Sequence, residues 1–316
     1  MIWKYIQQKK KENLSVVFLL VLESIGSSPG RQGFKMAVAE DGTMFGSVGG
    51  GIMEHKFVQM AKSQLENHQH IESKVYRQIH KTDVQDKSGM ICSGEQTLFI
   101  YEVTEKDLPQ IKLIASAGKK NQNSIIEVSK EGISFIEKKA DYDFFYEEFG
   151  DNFIYLERTG FKNELHIIGG GHCGLALSSI MSKLDFHIKI YDERDELNTM
   201  LQNKYAHESF FIKNYKKLNE IIDEGKNVFV IVMTFGYRTD AIVIRALKDK
   251  NFKYLGLLGS NKKIEKMLEE FKDEGFSQSW LNSIKTPAGL PIKSKTPEEI
   301  AISIAAEIIQ VKNADQ

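Results

Sequence analysis

The residues best spaced for chemistry are Gly169-Gly170-Gly171-His172-Cys173-Gly174. An apolar run at 165–168 leads into them, a helical pattern of small and apolar residues follows over 172–184, and a second strand-like run at 187–191 ends on Asp192. Strand, glycine turn, helix, strand and terminal acid are the parts of a dinucleotide-binding βαβ unit. Gly169 permits the tight turn, Gly171 lets a pyrophosphate approach the backbone, and Gly174 lets the helix lie close on the strand. The helix start offers unpaired N–H groups and a partial positive charge to phosphates. Asp192, about twenty residues further on, is placed to accept ribose hydroxyls, and Arg194 to meet a 2′-phosphate, so NAD and NADP both stay open as ligands. The competing reading is a tight βα turn that binds nothing, with Arg194 a surface charge.

A second strand–glycine–helix junction lies at Gly46-Ser47-Val48-Gly49-Gly50-Gly51, ahead of an amphipathic helix over 52–66. Three consecutive glycines at a helix start can form a cup of N–H groups for an anion, or can simply allow close chain packing; both readings stand. Upstream, Gly26-Ser27-Ser28-Pro29-Gly30-Arg31-Gln32-Gly33 is a loop without periodicity and with one positive charge. Cys92 sits in the glycine-flanked stretch Ser88-Gly89-Met90-Ile91-Cys92-Ser93-Gly94, as either a small buried hydrophobe or a chemically available thiol. Cys173, at a helix start, is either activated by the positive end of the helix or a packing residue. Adjacent His172 and Cys173 fall on different helix faces, a poor arrangement for chelation. Ser260, before Lys262, is expected to cap a helix and make another anion-friendly terminus or a plain structural start. No HExxH, CxxC or Walker A lysine motif occurs. For hydride transfer, only Tyr237 and Arg238 stand at the right strand end as acid–base and carboxylate-clamp candidates.

The elements that must position these residues fall into two groups. A chain of 316 residues is long for one core and comfortable for two domains. A net charge of −1 gives no electrostatic case for nucleic acid or an anionic membrane as partner. Two cysteines cannot build a disulfide scaffold and fit a reducing cytosol. Lys9-Lys10-Lys11 ahead of an apolar run at 16–22 imitates a signal peptide, but Glu23 interrupts the segment to be cleaved, and a buried strand fits better. No run approaches the ~20 apolar residues that span a bilayer, so the chain is expected to be soluble and cytoplasmic. A helix over 1–13, a central strand over 16–23, a hairpin of 35–39 and 43–47 around Asp41-Gly42, strands at 73–79 and 95–103, a helix over 107–117 and short strands at 124–128 and 133–136 make an N-terminal α+β domain, 1–140. Residues 141–162, acidic and aromatic, read as a packed interdomain strap. Residues 163–316 alternate strands (165–168, 187–191, 209–212, 228–233, 254–258) with helices (172–184, 215–223, 239–250), which implies a doubly wound parallel sheet of Rossmann type. A last helix starts at Thr296-Pro297-Glu298-Glu299, a capping box.

These motifs, in this order, resemble the xanthine dehydrogenase accessory factor family, XdhC/CoxI. The first domain carries the resemblance through Gly26 to Arg31, Asp41-Gly42 and Gly46-Ser47-Val48-Gly49-Gly50-Gly51-Ile52-Met53-Glu54; the second carries it through the Gly169 motif, Asp192-Glu193-Arg194, Gly256-Leu257-Leu258-Gly259-Ser260-Asn261-Lys262-Lys263, Pro287-Ala288-Gly289-Leu290 and Thr296 to Ala301. Relatives often show Cys-Gly-Gly where this chain has Cys92-Ser93-Gly94, and a histidine where it has Phe235-Gly236-Tyr237. The resemblance implies a non-catalytic chaperone that binds molybdenum cofactor (molybdopterin), supports its sulfuration and delivers it to a molybdenum hydroxylase such as xanthine dehydrogenase. It further implies a cysteine desulfurase as partner and a homodimer. On that reading Ser28, Arg31, Gly49, Gly50, Gly51 and Cys92 handle the molybdenum cofactor, with Cys92 as metal ligand because a soft thiolate suits molybdenum. Gly169, Gly171, Gly174, Asp192, Arg194 and Ser260 hold NAD or NADP. The alternative is an NAD(P)-dependent oxidoreductase acting on an unidentified small substrate.

Overall fold

The computed structural model describes residues 2–67, 73–79 and 94–314, and the chain divides into two compact units, Met1–Gly160 and Phe161–Gln316. Unit 1 is organised around β1 (Val16–Ile25). Val16, Phe18, Leu20 and Leu22 enter one core while Val17, Leu19 and Val21 enter another. A strand buried on both faces belongs mid-sheet. β2 (Lys35–Ala39), β3 (Met44–Gly46), β4 (Lys74–Ile79) and β5 (Glu95–Glu102) complete an antiparallel sheet of order β3-β2-β1-β5-β4. α2 (Gly51–Glu66) covers the Val17 face with Phe57, Val58, Ala61 and Leu65. α1 (Ile2–Lys11) and α3 (Leu108–Lys119) cover the other with Trp3, Ile6, Ile111 and Ile114.

That second face also receives a four-stranded antiparallel sheet, β7-β6-β9-β8, made from β6 (Ile125–Ser129), β7 (Gly132–Ile136), β8 (Phe144–Phe149) and β9 (Asn152–Arg158). The stretch expected as a strap is therefore a β-hairpin of unit 1. Phe144 and Tyr146 pack inward while Phe145 and Phe149 are exposed, and aromatics on both faces hide the period of two that marks a strand. The hairpin also pins the 26–33 loop: a Cβ on Gly33 would lie 2.4 Å from the Phe144 ring, and Lys35 Nζ bridges Gly33 O (2.8 Å) and Glu157 Oε1 (2.7 Å).

In unit 2, β10 (Asn163–Ile168), β11 (Phe186–Asp192), β12 (Glu208–Phe211), β13 (Gly225–Val232) and β14 (Phe252–Leu257) form a sheet of order β12-β11-β10-β13-β14 with every neighbour parallel. The order reverses at β10/β13, as in the Rossmann arrangement. α4 (His172–Met181) and α10 (Pro297–Asn313) pack on Leu165 and Ile167, whereas α7 (Tyr237–Ala246) and α8 (Asn261–Asp273) pack on the side of Ile168, Val230 and Val232. The sheet is doubly wound. The helix expected over 215–223 is only a 3-10 turn, Tyr215–Lys217, followed by the single turn α6 (Leu218–Ile221); α5 (Asn198–Leu201) and α9 (Gln278–Ser283) are similarly short and carry too few residues for a readable period. The capping box of α10 is present, with Thr296 Oγ1 accepting from Glu299 N and Glu299 Oε2 accepting from Thr296 N, each at 3.2 Å. Among the described residues no helix is long and apolar enough to cross a membrane.

Candidate functional site

Where strand order reverses, the carboxyl ends of β10 and β13 leave a crevice, the usual ligand position in such sheets. Two of the glycines there are required, each for a different reason, and a third is not. Gly169 has φ +123°, and a Cβ on it would lie 2.2 Å from Met233 O, so only glycine lets β10 leave the sheet beside β13. A Cβ on Gly174 would lie 2.3 Å from Gly169 O, so α4 rests directly on the turn. Gly171, the residue before α4, has nothing within 4 Å of its Cβ position. The front of that turn is open, and no acidic side chain sits in the first turn of α4. Behind it, Thr199 Oγ1 donates to Gly170 O at 2.5 Å.

Asp192 is 2% exposed and its carboxylate is fully engaged. Oδ2 accepts from Gly170 N (2.7 Å) and Arg194 Nη2 (2.8 Å); Oδ1 accepts from Arg194 N (3.0 Å) and Nε (2.8 Å). Burial pushes this carboxyl up, but the Arg194 guanidinium and the two backbone N–H groups outweigh it and hold it below the usual carboxylate range. Asp192 thus fastens the glycine loop to Arg194. Across the crevice, Phe235 follows β13 with 88% of its surface exposed, its ring centre 5.7 Å from the Arg194 guanidinium carbon.

Beside them lies a second ion pair, made by Asp240 and Lys263. Asp240 is fully buried, accepts from Thr234 N (3.0 Å) and Thr234 Oγ1 (2.5 Å), and pairs with Lys263. It shapes the 234–240 loop that carries Phe235. Tyr237, expected near a nicotinamide, instead packs against the α7/α8 core with Lys266 over its ring. Burial, reinforced by Glu270, pushes its phenol up to about 12. Arg238 is exposed. Ser260 stands at the start of α8, exposed, and its hydroxyl makes no capping bond. Cys173 packs against the α4/α10 core; burial and then the charge of Glu298 push its thiol up, which favours the packing reading over a reactive thiolate. His172 is exposed.

In unit 1 two loops cross in backbone contact. A Cβ on Gly30 would lie 2.1 Å from Val48 O, and one on Gly49 2.4 Å from Gly30 N. Buried Gln96 joins them, donating from Nε2 to Val48 O (2.9 Å) and accepting at Oε1 from Gly30 N (3.3 Å). Ser28 is buried and donates to Gly30 O at 2.8 Å; Arg31 is exposed and donates from Nη1 to Gly26 O at 3.1 Å. Gly49, Gly50 and Gly51 all have positive φ, +126°, +74° and +71°. The resulting cup is filled by the chain's own carboxylate: Glu54 Oε2 accepts from Ser47 Oγ (2.7 Å), Val48 N (2.8 Å) and Gly50 N (3.0 Å). Burial pushes Glu54 up, but these donors prevail and its carboxyl is lowered. Glu54 four residues beyond Gly50 is close to capping-box spacing, the signal that could have revealed it. Gln96 and Asp240 leave no such local trace. Cys92 lies outside the described residues. Among the described residues no group of three or more His, Cys, Asp or Glu is placed to hold a metal ion.

A doubly wound parallel sheet with a glycine turn at its switch point places unit 2 in the Rossmann class. A family model described as XdhC Rossmann domain matches residues 165–308, and one described as XdhC and CoxI family matches residues 10–76. The chain belongs to the XdhC and CoxI family. It is 23% identical over 308 residues to uncharacterized protein YqeB of Escherichia coli (strain K12), covering 96% of this chain and 45% of that protein. It is 26% identical over 166 residues to a probable xanthine dehydrogenase subunit of Bacillus subtilis (strain 168), covering 50% of this chain and 46% of that protein. The chain therefore spans less than half the length of these curated relatives. A crystal structure described as a xanthine dehydrogenase from Bacillus halodurans shares the fold, with a TM-score of 0.72 at 21% identity over 99% of this chain and 96% of that one.

Proposed function

We propose that this chain is an accessory protein to a molybdenum hydroxylase of the xanthine dehydrogenase type. It binds molybdenum cofactor, supports its sulfuration with a cysteine desulfurase as sulfur source, and delivers it as a cytoplasmic homodimer. Family membership and the name of the Bacillus subtilis relative support the partner class. One observation favours carriage over turnover. The two aspartates near the switch point are both held in ion pairs, Asp192 at the end of β11 by Arg194 and Asp240 in the first turn of α7 by Lys263, while the glycine turn is open at Gly171. A hydride-transfer site needs an acid or base free to move a proton, and neither carboxylate is free.

The molybdenum cofactor carries a phosphate, and the described residues of unit 1 fit that group in part. Arg31 is exposed and keeps guanidinium donors beyond the one given to Gly26 O. The N–H groups of Val48 and Gly50 fit a phosphate only with Glu54 turned out of the cup. Ser28 holds the loop rather than facing a ligand. Cys92 remains the proposed molybdenum ligand on chemical grounds. The test is to purify the protein from molybdenum-replete cells and identify what it carries. Bound pterin is the expected result. Protein that carries only nucleotide and oxidises reduced nicotinamide with a small substrate would replace this reading with the oxidoreductase one.

A further inference from the structure

In a dinucleotide-binding βαβ unit the terminal acid accepts the ribose hydroxyls. Asp192 cannot do so as it stands. A carboxylate offers about four lone-pair positions, and Gly170 N and the three Arg194 donors take them all. The charge of the acid is offset by the guanidinium beside it, and its oxygens have no lone pair left for a ribose hydroxyl. What faces outward at this position is Arg194, 41% exposed. A guanidinium has five N–H donors in a rigid fork; Nε and one N–H of Nη2 serve Asp192, which leaves three. Phe235 stands beside it, almost wholly exposed at a strand end, where an aromatic ring gains nothing from the core. An exposed ring next to a glycine crevice is a stacking surface.

We infer that the crevice takes an adenine nucleotide bearing a 2′-phosphate, with the base stacked on Phe235 and the 2′-phosphate on the outward edge of Arg194. Asp192 is then a positioning residue that fixes the fork and ties it to the glycine loop. The inference rests on the reading of this crevice as a nucleotide site.

The test uses the full-length protein and two probes, adenosine 2′,5′-bisphosphate and ADP, titrated by calorimetry at low salt. The bisphosphate is expected to bind at least ~10-fold tighter, as a charge-assisted bidentate contact provides. Arg194→Gln is expected to bring the two within ~3-fold, and Arg194→Lys, which keeps the charge but loses the fork, to restore part of the difference. Phe235→Ala, at an exposed position, is expected to weaken both probes alike by ~10-fold and leave their ratio intact. Equal affinities, tighter ADP, or a preference that survives Arg194→Gln overturn the inference and leave the nucleotide reading standing. Failure of both probes to bind the wild-type protein overturns the nucleotide reading as well.

Discussion

Each unit turns a strand into a helix through three glycines, and the two turns are finished differently. At Gly49-Gly50-Gly51 every φ is positive and the backbone closes around the carboxylate of Glu54. At Gly169-Gly170-Gly171 only Gly169 has positive φ and the front of the turn is empty. The residue before α2 is Gly50 and that before α4 is Gly171, so Glu54 and Leu175 occupy equivalent places, four residues on. The two turns differ in backbone conformation and in this one side chain. Backbone donors at a helix start seek an anion in both units; unit 1 provides it internally, and unit 2 leaves the place for a ligand.

The comparison can be broken in several ways. The largest effect belongs to Gly169→Ala, where strain at φ +123° and a clash with Met233 O act together; a loss of about 3 kcal/mol or more is expected in urea denaturation, and a loss below ~1 kcal/mol would contradict the need for glycine. Next, Glu54→Ala strips the cup of its acceptor and leaves Val48 and Gly50 N–H unbonded, for about 2 kcal/mol; an unchanged midpoint would show that water replaces Glu54 at no cost. Leu175→Glu places a carboxylate where unit 2 lacks one, and should weaken nucleotide binding about tenfold, or ~1.4 kcal/mol, in the same calorimetric titration.

The pH dependence of unfolding sharpens the same contrast with a smaller effect. Because the Glu54 carboxyl is lowered in the folded protein from an ordinary value of 4.5, its contribution is complete above that value and is lost as pH falls through the folded one. Denaturation measured from pH 6 down to pH 3, on the order of the carboxylate range, should show a shallower decline in Glu54→Gln than in wild type. Parallel profiles would remove Glu54 from the account. The smallest effect is for Gly171→Ala, whose Cβ meets nothing: stability should stay within ~0.5 kcal/mol while nucleotide affinity falls.

Much of unit 2 was legible because its signals are local. Strand, glycines, helix and terminal acid follow one another within a single βαβ unit, and β1 of unit 1 announced its central place by being apolar on both faces. The readings that changed concern what meets across the fold. The Asp192 carboxylate is taken up by Arg194 and the glycine loop because both its oxygens find donors there, which no spacing rule reveals. The 144–158 hairpin was hidden by aromatic residues on its outer face, and Asp240–Lys263 joins residues 23 positions apart on two helices. Glu54 is the intermediate case: the three glycines allow an anion cup or close packing, and the cup closes on a carboxylate only four residues away.

Gln96 has a consequence for how unit 1 can change by mutation. One amide bonds both Gly30 and Val48, and Gly30 and Gly49 touch with no room for a Cβ on either. The positions 30, 49 and 96 therefore share a single spacing rather than three. Substitutions among residues in one network do not sum, so a change at Gln96 alters what is tolerated at both glycines. A variant lineage would cross from one such arrangement to another only by changing the set together.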